Sequence, residues 1–193
     1  MSSTARALVA GRSYCLPDHR LRSSPVILRP GRADDEESLL RLFDEAVLWL
    51  TDRGLSGQWG SRPWSERADT RARVTRLAGS PGLTVAEVGD SLVGALDVSE
   101  ESPSYAPVTT EPGLYVWILL TSRRFMGQGI GTALLDHARA ECLARDLSLL
   151  RVDCWAGGQG QLVRYYESAG FTATEPFDRD GWPGQLLVQR LEE

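Results

Sequence analysis

Hydrophobic residues recur along this chain with two different periods. Val26, Ile27 and Leu28 form a short apolar run that predicts a first strand. Leu39, Phe43, Ala46 and Leu50 then fall three or four residues apart, the spacing of one face of a helix. That helix is expected to run to about Arg53, and Asp34 with Glu37 has the spacing of an N-terminal capping box. Gly54 to Pro63 reads as a loop, and a second helix is expected from Ser65 to about Ala78, ended by Gly79-Ser80-Pro81-Gly82. Leu83 to Val88 and Ser91 to Val98 are two strands joined at Gly89-Asp90, a glycine-first hairpin turn.

Glu100 to Pro112 is a polar connection with three prolines, and Leu114 to Leu120 is an unbroken apolar run, as in a strand buried on both faces. A glycine-rich turn leads into a helix with Leu134, Leu135, Ala138 and Cys142 along one side. Leu149 to Ala156 reads as a strand, Leu162 to Ala169 as a short helix, and Phe171 to Pro176 and Gln185 to Leu191 as the last strands, with a loop between them. The order β-α-α-β-β-β-α-β-α-β-β predicts one α/β (α+β) domain over residues 25–193. Residues 1–24, with four arginines, several serines and no apolar period, are expected to be a flexible tail.

Composition narrows the chemistry. All 21 basic residues are Arg, and the sequence contains neither Lys nor Asn. Without lysine there is no Schiff base, no side-chain amine nucleophile and no Walker-type phosphate lysine. Absent Lys and Asn beside abundant Ala, Gly and Arg read as a GC-rich bacterial coding bias. Cys15, Cys142 and Cys154 have no paired spacing and His19 and His137 are far apart, so neither a disulfide framework nor a metal site can be drawn. A sparse, odd cysteine set fits a reducing cytoplasm, and no apolar run approaches the ~20 residues of a membrane helix. The net charge of -5 lacks the basic footprint of nucleic-acid binding and makes cationic small molecules the more natural partners.

The most informative stretch is Arg123-Arg124-Phe125-Met126-Gly127-Gln128-Gly129-Ile130-Gly131-Thr132, between a strand and a helix. Alternate glycines let the backbone turn sharply and approach a ligand, and the following helix offers unpaired N–H groups at its positive end, a geometry that binds pyrophosphate. The dinucleotide fingerprint fails on spacing, and a Walker loop fails for want of Lys. Arg124, Gly127 and Gly129 fit R-x-x-G-x-G. Further on, Tyr165-Tyr166-Glu167-Ser168-Ala169-Gly170-Phe171 also reads as a helix with packed tyrosines that ends at a left-handed Gly170.

With both motifs in this order, separated by a helix and a strand, the sequence resembles the GNAT superfamily of N-acetyltransferases over about residues 25–191. The second motif is similar to that family's Y-E-x-x-G-F. The resemblance implies a mixed central β-sheet of six to seven strands flanked by about four helices. It implies acyl transfer from acetyl-CoA to an amine by direct attack, without a metal or a covalent enzyme intermediate. Coenzyme A would contact Leu119, Thr121, Arg124, Met126, Gly127, Gln128, Gly129, Ile130, Gly131, Thr132 and Gln159. The strands Leu114 to Leu120 and Leu149 to Ala156 would splay apart to free backbone N–H groups. Tyr166 would be the acid for the departing thiolate, and Tyr165, about 100° away on the helix, would be excluded from the site.

The sequence departs from the family at two positions. Trp117 stands where many relatives carry a general-base Glu, and the asparagine after the fifth strand is missing, with Gln159 the nearest amide. Asp97, Glu111 and Asp153 remain as candidate bases, beside a water relay or a neutral amine. Trp59, Trp64 and Trp117, with Asp178 and Trp182 from the loop between the last strands, are expected to line an acceptor pocket, whereas Trp49 and His137 read as structural. The expected enzyme is a cytoplasmic acetyltransferase acting on a small amine, with no nucleic-acid or membrane partner and with room for a homodimer. A non-catalytic acyl-CoA-binding module, and an acyltransferase for protein N-terminal or aminoacyl amines, are the alternatives.

Overall fold

The structure, a computed structural model, describes residues 25–107 and 109–192, so the expected tail lies outside the described residues. Its elements are β1 (Val26–Pro30), α1 (Glu36–Thr51), α2 (Ala68–Ala78), β2 (Leu83–Val88), β3 (Ser91–Ser99), β4 (Leu114–Thr121), α3 (Ile130–Ala144), β5 (Leu149–Trp155), α4 (Gln161–Ser168), β6 (Thr172–Arg179) and β7 (Trp182–Arg190). They follow the expected order and build one domain. The seven strands form one sheet in the order β1-β2-β3-β4-β5-β7-β6, in which only β4 and β5 run parallel.

Strand periodicity divides the apolar side chains between two layers. Ala86, Leu96, Val116 and Val152 point to the face covered by α3 and α4, where Leu134, Leu135 and Ala138 complete the core. Val85, Ala95 and Leu120 point to the opposite face, covered by α1 and α2 through Phe43, Val47 and Val74. Elsewhere Tyr105 and Ala106, from the connection before β4, pack on Tyr115 and Leu186.

Three local expectations are corrected. The carboxylate at the start of α1 is Asp35 rather than Asp34: it accepts from the Arg32 N–H at 2.8 Å and from the Arg29 guanidinium at 2.7 and 2.8 Å, and Arg29 also pairs with Glu87. This part-buried network ties β1, β2 and α1 together, which a local capping box could not do. The loop expected between the last two strands is instead a tight hairpin on Asp180-Gly181, whose φ values of +53° and +81° suit the twist of a two-residue turn. Finally, β4 is buried on both faces only over Leu114 to Val116, because Trp117 is 41% exposed and the residues after it open onto a cleft.

Candidate active site

β4 and β5 pair only through Leu114 to Leu150, Tyr115 to Arg151 and Val116 to Val152, after which they separate. On its other side β4 stays bonded to β3, and the Ser122 N–H reaches the Val93 carbonyl at 2.8 Å. Successive N–H groups of a strand point to alternate sides. Those of Leu120 and Ser122 therefore serve β3, while those of Leu119 and Thr121 face the gap that β5 has left. The gap opens into a cleft of about 870 Å³ that runs from the start of α3, past α4, to the loop before α2 and the β6-β7 hairpin.

One end of the cleft is the glycine turn. Gly127 and Gly129 have φ of +80° and +74°, and a Cβ built on either meets nothing within 4 Å, so their missing side chains leave open space at the mouth of α3. The first backbone N–H groups of α3 have no partner within the helix. Glu45, in the third turn of α1, fixes this turn from behind. Its carboxylate accepts from Ser122 Oγ at 2.9 and 3.0 Å and from the Arg124 N–H at 3.1 Å. The Arg123 guanidinium lines the cleft above the Trp49 ring, 4.3 Å from its centroid, and Arg53 lies at 4.2 Å. Burial lowers the Arg123 pKa, and its Nε is buried without a hydrogen-bond partner among the described residues.

In the middle, α4 brings Tyr166 against Phe171 and beneath β5, 5% exposed, with its ring lining the cleft. Burial holds its hydroxyl well above the ordinary value of 10, and Cys154, Tyr165 and Asp153 add to the effect. Tyr165 is not excluded: its ring, 5.2 Å from that of Tyr166, also lines the cleft, and its hydroxyl lies over Gly131, too close for any Cβ there. Consecutive helix residues reach one cavity because Gln161, Leu162, Tyr165 and Tyr166 together form the broad face of α4 that borders the cleft.

All six tryptophans line the cleft, Trp49 beside Arg123 and Trp59, Trp64 and Trp182 toward the far end. Trp64 stacks on Phe43 at 4.1 Å and 5°, with Trp59 tilted against both, and Trp117 Nε1 donates to the Glu101 carbonyl at 2.9 Å. Trp155 and Trp182 complete the wall. Trp49, expected to be structural, also lines the cleft, and Trp155 and Glu45 are residues of the site region that the sequence analysis did not single out, whereas Arg123 fell within the glycine stretch without a role of its own. The R-R dipeptide marked Arg123, whereas nothing local marks Glu45, because its partners lie 77 and 79 residues away.

Of the three candidate bases only Asp153 reaches the cleft. It accepts from Tyr115 Oη at 2.6 Å and from Tyr105 Oη at 3.5 Å, both at Oδ1, which leaves Oδ2 without either bond. Burial raises its pKa against the lowering effect of those bonds and of Arg179. Asp97 instead accepts from Ser80 Oγ at 2.6 Å at the far edge of β3, and Glu111 is held by Arg190 at 2.6 and 2.9 Å on the surface. Four other expected contacts are also absent from the lining. Asp178 accepts from the Gly181 N–H in the hairpin turn, the Gln159 carbonyl accepts from Arg164, and neither Arg124 nor Gln128 lines the cavity. His137 lies elsewhere, 3.1 Å from Thr84 Oγ1.

Residues 44–171 match the Acetyltransferase (GNAT) family. The chain belongs to that family. Among similar proteins, the N-acetyltransferase YesJ of Bacillus subtilis is 28% identical over 149 residues, 74% of this chain and 79% of YesJ. The PaiA N-acetyltransferase of Thermoplasma acidophilum, solved in complex with coenzyme A, has a TM-score of 0.62 at 13% identity, over 86% of this chain and 99% of PaiA. YncA of Salmonella typhimurium, solved with its cofactor acetyl-CoA, has a TM-score of 0.58 at 18% identity, over 87% and 95%. No helix among the described residues of this acetyltransferase is long and apolar enough to cross a membrane.

The site yields two predictions. Glu45→Ala leaves the buried Ser122 hydroxyl and the Arg124 N–H without their carboxylate, so calorimetry should show CoA binding weakened by about tenfold, with Glu45→Gln in between. Asp153 makes an opposite demand on stability. With its folded pKa above the unfolded value, its favourable contribution is complete below the unfolded pKa and is lost as pH rises through the folded one. Asp153→Asn keeps an acceptor for Tyr115 and removes that loss, so its Tm relative to the parent should rise between acid and neutral pH in thermal melts.

Proposed function

We propose that this protein transfers the acetyl group of acetyl-CoA to the primary amine of a small molecule by direct attack. The observation that carries the reading is the parting of β4 and β5 beside an open helix N-terminus and above a buried tyrosine, three requirements of acyl transfer on one cavity. The cofactor fits what the chain offers. Gly127 and Gly129 leave a cradle that a Cβ would fill, and the first turn of α3 presents N–H groups to a pyrophosphate, with the Arg123 cation beside them. When bound, acetyl-CoA supplies an acyl carbon joined to a thiolate leaving group.

The protein's own groups then do the following. The N–H groups of Leu119 and Thr121 orient the pantetheine arm and receive the negative charge that gathers on the thioester oxygen. Asp153 Oδ2 accepts the proton that the amine gives up, and the burial that raises its pKa makes it a stronger base than a solvated carboxylate. As the N–C bond forms and the C–S bond breaks, Tyr166 donates to sulfur. A thiolate whose conjugate acid lies near a pKa of ~8.5 already leaves readily, so the hydroxyl need only stay protonated and placed, which its raised pKa ensures. The proton held by Asp153 returns to solvent at the end of the cycle, and Tyr166 regains one if it has been lost.

Release of free CoA thiol from acetyl-CoA across a panel of small amines tests the proposal. Tyr166→Phe should lower kcat by roughly 10²-fold or more with CoA affinity nearly unchanged, while Tyr165→Phe, at the phosphate end, should act mainly on KM for acetyl-CoA. Equal losses in kcat for the two variants would reverse their roles. Tight acyl-CoA binding without turnover on any amine would instead support a binding module.

A further inference from the structure

The charges around the acceptor end do not match a simple cation. Asp153 and Asp180 are the carboxylates of the cleft wall, and against them stand Arg67, Arg73 and Arg179, with Arg123 at the CoA end. Arg67 is paired to Asp69 at 2.6 Å. Arg73 and Arg179 lie instead against aromatic rings: Arg73 at 5.1 Å from the Trp64 centroid and Arg179 at 4.2 Å from that of Tyr105. Neither forms an ion pair among the described residues. Both act electrostatically on the Tyr105 hydroxyl, which hydrogen-bonds to Asp153, and Arg179 acts on Asp153 as well. The two cations and the one open carboxylate oxygen therefore converge around a single tyrosine. A guanidinium that lies against a ring and has no carboxylate partner keeps N–H groups available, and its fork matches a carboxylate or phosphate in a bidentate manner.

Resting on the acetyltransferase reading, we infer that the acceptor is an amine that also carries a negatively charged group, an amino-acid-like zwitterion. Asp153 Oδ2 takes its ammonium, Arg73 and Arg179 take its anion, and the wall of Trp59, Trp64 and Trp117 covers its apolar part. An amine of one positive charge would be repelled by the two arginines. A substrate with both charges satisfies both sets, and the attraction of its anion orients the nitrogen toward the thioester side of the cleft. This replaces the expectation of a purely cationic partner drawn from net charge, which averages over the whole surface while the acceptor end carries its own sign.

The common α-amino acids, each beside its decarboxylated amine (phenylalanine with 2-phenylethylamine, tryptophan with tryptamine, and so on), provide the test on the full chain. Two readouts are taken: CoA-thiol release with acetyl-CoA, and calorimetric binding to the protein saturated with CoA. At least one carboxylate-bearing member should bind and react better than its partner, by about tenfold or more. Arg73→Gln and Arg179→Gln, both exposed and outside the core, should narrow that ratio through KM rather than kcat, with melting curves confirming the fold. If simple amines react while no carboxylate-bearing member exceeds its partner, the inference is overturned and the acetyltransferase reading stands. If no amine reacts, that reading falls, and calorimetry decides the inference separately: a carboxylate preference lost in the arginine variants upholds the anion site, and its absence overturns it.

Discussion

Everything at this site depends on two parallel strands that stop pairing. In a sheet interior each backbone N–H and C=O has a partner in the neighbouring strand, and a buried group without one is costly. Where β5 leaves β4 after Val152, the Leu119 and Thr121 N–H groups lose that partner while their carbonyl neighbours on the β3 side keep theirs. An extended ligand with amide and thioester carbonyls can replace the missing strand. The cleft is thus an unfilled position in the sheet, lined by backbone N–H groups that only a substitution to proline would delete.

The surroundings keep the gap open. On one side α3 and α4 pack on the sheet through Leu134, Leu135 and Tyr166, and on the other α1 carries Glu45 to the Ser122 turn. β7, paired to β5 along its whole length from Leu149 to Trp155, supports β5 on its far side. The aromatic wall fills the width that a side-chain core would otherwise close. Trp155 is accommodated because Gly57, Gly157 and Gly158 present no side chain where its ring lies. Stability and the proposed activity oppose each other most directly at Asp153, whose burial disfavours the charged form that the proposed proton transfer would use.

Much of this was legible in the sequence where the signal is local. The element order, the glycine turn and Tyr166 rest on periodicity and short motifs, and those survive without knowledge of the fold. The site residues beyond them depend on contacts across the chain. Asp97, Glu111 and Asp153 are equivalent as letters, and only topology separates them: Ser80 holds the first, Arg190 the second, and the third sits where the strands part. Asp178 and Trp182 shared an expected loop, yet the tight turn at Asp180-Gly181 puts them on strands, with Trp182 toward the cleft and the Asp178 carboxylate bonded within the turn. The helix angle that seemed to exclude Tyr165 ignored the shape of the cavity around α4.

The carbonyl stretch of bound acetyl-CoA tests the central claim most directly. With the carbonyl carbon labelled by ¹³C, difference infrared spectroscopy isolates the thioester band in the complex. If the Leu119 and Thr121 N–H groups donate to that oxygen, the band should move to lower frequency than in water-free solvent, and it should do so in Tyr166→Phe as well, because the backbone supplies the polarisation. A band at the frequency of an unbonded thioester would contradict the account, since the parted strands would then hold the cofactor without activating it.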